Sequence, residues 1–300
     1  MPTLDPTLLL GRWDLTIDMG DMGDMGDGQS LPAWLEVRKS GRQTLVGQFV
    51  GTHGSARPVH HVRVEGDGFS FSIPLQWEKG TDDLMLTGRM QGEGLAGSIQ
   101  LPNGDRHSWT GVRAPSLRPA QPPTWGEPIP LFNGVDLLGW QVIQGQSCWS
   151  VVDGVLTNTC KGGNLVSERR FGDFQLHAEF RYPPNGNSGI YLRGRYEVQI
   201  VDSPQTEPAT DLIGAIYGFL EPSAIVTNGP DAWNSYDITL IGRMVTVVLN
   251  GQTVISHQAI PGITGGALDS DEGAPGPILL QGDHGPVEFR NLVLTPGVTG

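Results

Sequence analysis

The sequence predicts an all-β protein in two parts: a small antiparallel β-barrel or sandwich, then a concanavalin-like jelly-roll sandwich. Three observations predict it. Apolar residues recur with a period of two in short runs bounded by Gly, Asp or Asn, the signature of strands buried on one face. The 43 glycines and 23 prolines punctuate the chain closely, and no amphipathic helix of three turns is present. A stretch with five prolines, APSLRPAQPPTWGEP at 114–128, separates two such runs of strands and reads as a semi-rigid linker. The expected organisation is an accessory domain over 1–113, the linker over 114–128 and a larger domain over 129–300. A chain of 300 residues is long enough to bury a core in each.

In the first domain Trp13, Leu15 and Ile17 alternate with polar residues, and Phe69, Phe71, Ile73, Leu75 and Trp77 do so over a longer run. LMLTGRM, LAGSIQL and HSWTGV follow, with Gly-rich turns between them. About eight segments of this kind fit an up-and-down barrel or a sandwich. MGDMGDMGDG at 19–28 is a three-residue repeat and reads as an acidic hairpin loop. It lacks the terminal bidentate Glu of a calcium loop. His60, His61 and His107 read as surface residues.

In the second domain Phe174, Leu176, Ala178 and Phe180 alternate with Gln175, His177, Glu179 and Arg181, as a strand with one buried face requires. Asp153-Gly154 and Asn250-Gly251 each mark a two-residue hairpin turn. The first lies inside CWSVVDGVLTNTC, whose end residues are the chain's two cysteines, Cys148 and Cys160. Two half-buried thiols are the expectation there, with a cross-strand disulfide as the alternative in an oxidising compartment.

The stretch GNSGIYLRGRYEVQIVD at 186–202 reads as two strands with a tight link near Gly194. Alternation puts Glu197 and Gln199 on one face and Val198 and Ile200 on the other. The loop length decides where Arg193 stands. A three-residue turn pairs it with Glu197 and a two-residue turn pairs it with Tyr196.

The formal charge of −13 disfavours nucleic acid and anionic membrane surfaces as partners and suits a neutral or cationic small molecule. No apolar run approaches membrane-spanning length, and Leu8-Leu9-Leu10 is too short for a signal-peptide core.

Nine motifs in order carry a resemblance. They are LFNGVDLLGW at 131–140, WSVVDG at 149–154, GDFQLHAEFR at 172–181, GNSGIYLRG, YEVQIVDS, GAIYG at 214–218, WNSYDI at 233–238, VTVVLNG at 245–251 and DHGPVEFRN at 283–291. Over residues 130–296 the chain resembles the 3-keto-disaccharide hydrolase family. The resemblance implies a jelly roll that cleaves glycosides already oxidised at C3, by hydrolysis or through a 3-keto-2-hydroxyglucal. It also implies a sugar as the ligand and, for some members, a divalent metal such as manganese or zinc. The family type favours a periplasmic or secreted location.

The residue types suit that chemistry. A ketone at C3 acidifies the C2 hydrogen, so a general base can remove it and the enolate then expels the C1 substituent. The reaction needs a base, a partner for the enolate oxygen and an acid near the leaving oxygen. Glu197, His284, Arg193 and Tyr217 are the candidate catalytic residues, with Glu197 as base or metal ligand and Tyr217 as acid. Gln199, Asn187 and Trp233 are the candidate sugar-binding residues. Glu197, His284 and Asp202 are the candidate metal ligands; strict alternation sends Asp202 to the other face unless the strand bulges or ends. His177 reads first as a solvated strand histidine, and Glu179 and Lys161 are weaker candidates. The alternatives are a carbohydrate-binding module without chemistry and an ordinary glycoside hydrolase, which works through paired carboxylates on unoxidised sugars.

Overall fold

The computed structural model describes residues 4–20, 30–118, 121–205 and 207–298. Most of the MGD repeat lies outside the described residues. The chain divides into two compact units, Met1–Pro115 with Gly262–Glu272, and Ser116–Pro261 with Gly273–Gly300.

Unit 1 holds nine strands: β1 Gly11–Asp18, β2 Ser30–Ser40, β3 Thr44–Val50, β4 Arg57–Val59, β5 Arg63–Glu65, β6 Gly68–Ile73, β7 Leu84–Gln91, β8 Gly94–Gln100 and β9 Arg106–Arg113. They form one antiparallel sheet in the order β4-β3-β2-β1-β9-β8-β7-β6-β5. Each neighbour in that order is also a neighbour in sequence, except for β1 beside β9, so the sheet is an up-and-down meander rolled back on itself. β4 approaches β6 at the seam. The alternating residues read from the sequence fill the interior, with Trp13, Leu15, Phe71, Ile73 and Trp109 almost wholly buried. The alternation stops at Ile73 rather than running on to Trp77. Pro74 has no N–H for the sheet ladder, and Trp77 is 67% exposed. Gly262–Glu272 is held within this unit: Gly266 N donates to Thr52 O at 2.7 Å.

Unit 2 holds β10 Thr124–Trp125, β11 Ile129–Pro130, β12 Trp140–Ile143, β13 Trp149–Val152, β14 Val155–Asn158, β15 Asn164–Phe171, β16 Phe174–Arg181, β17 Asn187–Leu192, β18 Tyr196–Val201, β19 Asn234–Ile241, β20 Met244–Leu249, β21 Gln252–Ala259, β22 Gly276–Leu280 and β23 Val287–Val298. Two antiparallel sheets result. One runs β13-β14-β23-β16-β19-β20-β21, with β10 and β11 also paired to β23; the other runs β12-β15-β22-β17-β18. Inward-facing Phe180, Tyr236, Ile238, Val247, Ile190, Val198, Ile200, Leu280 and Phe289 are buried. The Phe180 and Tyr236 rings lie 4.6 Å apart, and the Tyr236 hydroxyl donates to Gln199 O at 2.6 Å, linking the sheets. This is the expected jelly-roll sandwich.

Both turn signals hold. Asp153 and Gly154 have φ of 51° and 80°, and Asn250 and Gly251 have 51° and 79°, the left-handed pair that a type I′ hairpin needs. The cysteines depart from expectation. Cys148 and Cys160 form a disulfide, with Cα atoms 5.7 Å apart across the ends of the β13/β14 hairpin.

Candidate active site on the five-stranded sheet

β17 and β18 are joined by three residues, Arg193-Gly194-Arg195, so Leu192 opposes Tyr196 and Tyr191 opposes Glu197. That register places Gly189, Tyr191, Glu197 and Gln199 on the outer face. Ile190, Val198 and Ile200 point into the sandwich. Residues 214–217 then run beside β18: Tyr217 N donates to Glu197 O at 3.0 Å and Gln199 N donates to Ala215 O at 3.0 Å. On the other side β22 pairs with β17, and its continuation, residues 281–285, carries Gln281, Asp283 and His284 to the same face.

Glu197 is only 3% exposed. The Tyr191 hydroxyl donates to its Oε2 at 2.9 Å, and Gln281 Nε2 donates to that hydroxyl at 3.4 Å. Gly189 makes room for the carboxylate, because a Cβ there would stand 2.3 Å from Glu197 Oε1. Burial raises the Glu197 carboxyl to about 8; the Tyr191 hydrogen bond and nearby His284 pull it down, and Asp283 pushes it up. At neutral pH the group is therefore mostly a neutral acid.

His284 is half-exposed, and its Nδ1 lies 2.7 Å from Asp283 Oδ1. That bond is the main reason the imidazole is raised above its ordinary value; Glu197 adds to the rise and Lys161 opposes it. When the ring is neutral with its proton on Nδ1, Nε2 is free to accept one. Tyr217 is half-buried, and burial, then Glu197 and Asp211, raise its phenol, so it keeps its proton. The segment before it folds back, with Gly218 N on Thr210 O at 2.8 Å. Gln205, Glu207, Pro208, Ala209, Asp211 and Leu212 of that segment line a cavity of about 530 Å³.

Of the residues expected from the sequence, Glu197, His284 and Tyr217 come together. Gln199 shares their face and is buried, with its Oε1 accepting from Ile200 N at 3.1 Å. Asn187 opposes Val201 farther along the same face, and its Oδ1 is buried without a hydrogen-bond partner. Arg193 does not join Glu197. It sits in the turn itself with φ 53°, and its Nη2 donates to Gly242 O at 2.7 Å and Tyr196 OH at 3.2 Å.

Trp233 is carried by the opposite sheet, where the Arg290 and Arg181 guanidiniums lie 4.0 and 4.9 Å from its ring. His177 and Glu179 are on that sheet as well. His177 is paired with Asp237 at 2.7 Å and Glu179 with Arg290 at 2.6 Å. Tyr191, Gln281 and Asp283 were not expected. The register of the three-residue turn is the signal that puts Tyr191 opposite Glu197.

The expected metal set does not assemble. Asp202 follows the end of β18, five residues or about 16 Å of strand beyond Glu197. Its Oδ2 accepts from Asn185 N at 2.8 Å. Among the described residues no three His, Cys, Asp or Glu side chains are grouped to hold a metal ion.

Fold and site together define a class: a two-sheet β-sandwich carrying a buried neutral acid and an imidazole–carboxylate pair on one outer sheet face. Residues 127–295, more than half the chain, match the 3-keto-alpha-glucoside-1,2-lyase-like domain, and the chain belongs to that family. No curated protein matches it. Among solved structures it is similar to a Parabacteroides distasonis protein provisionally named a glycosyl hydrolase. The two are 32% identical with a TM-score of 0.50, over 59% of this chain and 92% of that one. Two further proteins of that organism, with the same provisional name, are 20% and 25% identical, with TM-scores of 0.48 and 0.44. They cover 57% and 56% of this chain and 94% and 98% of their own. Among the described residues no helix is long and apolar enough to cross a membrane.

Proposed function

We propose that unit 2 cleaves 3-keto-glycosides by abstracting the C2 proton and eliminating the C1 substituent. The observation that supports this reading is the convergence of Glu197, His284 and Tyr217 on one face within the family-matched residues. Each of the three needs of the reaction then has a group. Nε2 of neutral His284 takes the C2 proton, with Asp283 holding the ring through Nδ1. Neutral Glu197, backed by Tyr191, donates a hydrogen bond to the C3 oxygen as the enolate forms. The enolate then collapses: C3=O re-forms, C1=C2 forms and the C1–O bond breaks. The departing oxygen takes the proton of Tyr217. The product is a 3-keto-2-hydroxyglucal, and addition of water at C1 with return of the proton to C2 gives net hydrolysis.

A sugar ligand agrees with the remaining groups. Gln199 and Asn187 offer amides on the same face. The ordinary two-carboxylate route has weaker support, because the second carboxylate, Asp283, is engaged with His284.

The test is release of a chromophoric aglycone from a 3-keto-glucoside, with the unoxidised glucoside as control. Release from the keto sugar alone is expected, falling by about 10²-fold or more in Glu197→Gln and His284→Ala. Equal release from both sugars, or wild-type rates in both variants, would overturn the proposal.

A further inference from the structure

Residues 281–286 leave the five-stranded sheet and cross to the other, so their backbone groups need partners outside either ladder. Two buried asparagines meet that need with opposite polarity. Asn158, the last residue of β14, is 1% exposed. Its Nδ2 lies 3.0 Å from Gly282 O and 2.7 Å from Gly285 O, on either side of Asp283 and His284. The same nitrogen reaches Cys160 O at 2.8 Å, inside the disulfide-closed hairpin. Asn164, the first residue of β15, is 7% exposed. Its Oδ1 accepts from Gly282 N at 2.8 Å and Asp283 N at 3.4 Å, and its Nδ2 donates to Gln144 Oε1 at 2.9 Å. One amide thus grips carbonyls as a donor while the other grips N–H groups as an acceptor. The fit is close: a Cβ on Gly282 would stand 2.4 Å from Gly163 O.

This clamp acts on a demanding contact. Asp283 and His284 are neighbours in sequence, yet their side chains meet at 2.7 Å. Adjacent residues reach one another in this way only from a particular backbone conformation, and a six-residue connection does not hold such a conformation unaided. We propose that Asn158 and Asn164 are positioning residues: together they set the loop so that Asp283 orients His284 for proton transfer. The proposal rests on the reading of His284 as the base.

The polarity of the clamp supplies the test. Asn158→Asp replaces the donor with an oxygen facing three carbonyls, whereas Asn164→Asp keeps the acceptor that the loop uses. Asn164→Ala removes that acceptor. Each folded variant, checked by its thermal melt, is compared for the far-downfield proton resonance of the His284 Nδ1–H bond, assigned by its loss in His284→Gln. The resonance is read without substrate; kcat and KM on a 3-keto-glucoside are measured separately.

Asn164→Asp should keep the resonance, because it keeps the acceptor for Gly282 N and Asp283 N. Asn158→Asp and Asn164→Ala should lose it, with kcat down about 10²-fold and KM little changed. If Asn158→Asp fails to fold, Asn158→Ser is used, where a partial loss is expected. Retention of the resonance with kcat within about twofold in the Asn158 variant or in Asn164→Ala would overturn the clamp, and so would equal loss in Asn164→Asp and Asn164→Ala. A wild-type protein inactive on 3-keto-glucosides would reject the proposed reaction, while the resonance would still decide the clamp.

Discussion

The hydroxyl of Tyr191 donates to Glu197 Oε2 at 2.9 Å across a hairpin whose three-residue turn sets these two residues opposite each other. The contact lies on the sheet face away from the sandwich core and is nevertheless buried, with both residues only 3% exposed. A carboxylate so enclosed loses its hydration, and burial accordingly dominates its shift to about 8. A neutral carboxylic acid can donate a hydrogen bond, which a carboxylate on an open strand cannot do at neutral pH.

That shift predicts a bell-shaped pH dependence of kcat/KM. Activity should rise as His284 loses its proton, at a pH above 6.5 because Asp283 raises the imidazole. It should fall as Glu197 loses its proton, near pH 8. The alkaline limb belongs to Glu197 and should be absent from the residual activity of Glu197→Gln. An unchanged alkaline limb in that variant would assign it to another group.

The same group links pH to stability. The Glu197 carboxyl is raised from 4.5 when unfolded to about 8 when folded. Its contribution is therefore fully present below pH 4.5 and is lost as pH rises toward 8, by up to about 1.4 kcal/mol per pH unit in that window. Glu197→Gln removes this slope. Urea denaturation at pH 5 and pH 8 should show the variant gaining on the wild type at the higher pH; parallel curves would count against a buried neutral acid.

Gly189 is predicted to control the position of that carboxyl. A Cβ at this position would meet Glu197 Oε1 at 2.3 Å and its carboxyl carbon at 3.0 Å. Gly189→Ala should therefore shift Glu197 off Tyr191, destabilise the unit by about 1–3 kcal/mol and lower kcat by tens of fold, on the order of what an ångström of misplacement costs. Urea midpoints and single-turnover rates check the two effects. A variant with wild-type kcat would mean that the position of the carboxyl does not matter to the reaction.

How much of this was legible in the sequence depended on the distance over which the information acts. Period-two alternation is local. It gives the strand pattern and the shared face of Glu197 and Gln199, and the Asp-Gly and Asn-Gly pairs, equally local, give the two hairpin turns. Strand order is not local. Trp233 and His177 lie on the opposite sheet, and only the pairing of β16 with β19 and β23 settles that. Nothing in the sequence marks Tyr191, since one residue of turn length decides that it faces Glu197. Arg193 failed for a related reason. Its left-handed turn conformation takes it out of the strand alternation. The disulfide depended on the ends of a hairpin meeting, a spacing compatible with either outcome.

Arg193 is predicted to matter for folding rather than turnover. The residue is 3% exposed; its guanidinium is bonded to Gly242 O and Tyr196 OH and lies over the Tyr196 ring at 5.2 Å. Arg193→Ala leaves that buried carbonyl without its donor and should cost about 1.5–3 kcal/mol, the range for charged hydrogen bonds. The kcat of the folded fraction should stay close to wild type, as measured by active-site titration alongside the urea midpoint. A collapse of kcat without loss of stability would return Arg193 to the catalytic set.

The disulfide yields a prediction that separates scaffold from site. Cys148 and Cys160 close a loop with a sequence separation of 12 around the β13/β14 hairpin, and a loop of that length restricts the unfolded chain by about 3 kcal/mol in the chain-entropy account. The same hairpin ends in Asn158, which reaches Gly282 O and Gly285 O in the loop of Asp283 and His284. Cys148→Ser with Cys160→Ser should therefore lower the urea midpoint by an amount corresponding to about 2–3 kcal/mol. At temperatures where the variant stays folded, most of its kcat should survive, because the Asn158 contacts themselves remain. If kcat falls as steeply as in Asn158→Asp while the midpoint barely moves, the bridge acts by holding the site loop rather than by restraining the unfolded chain.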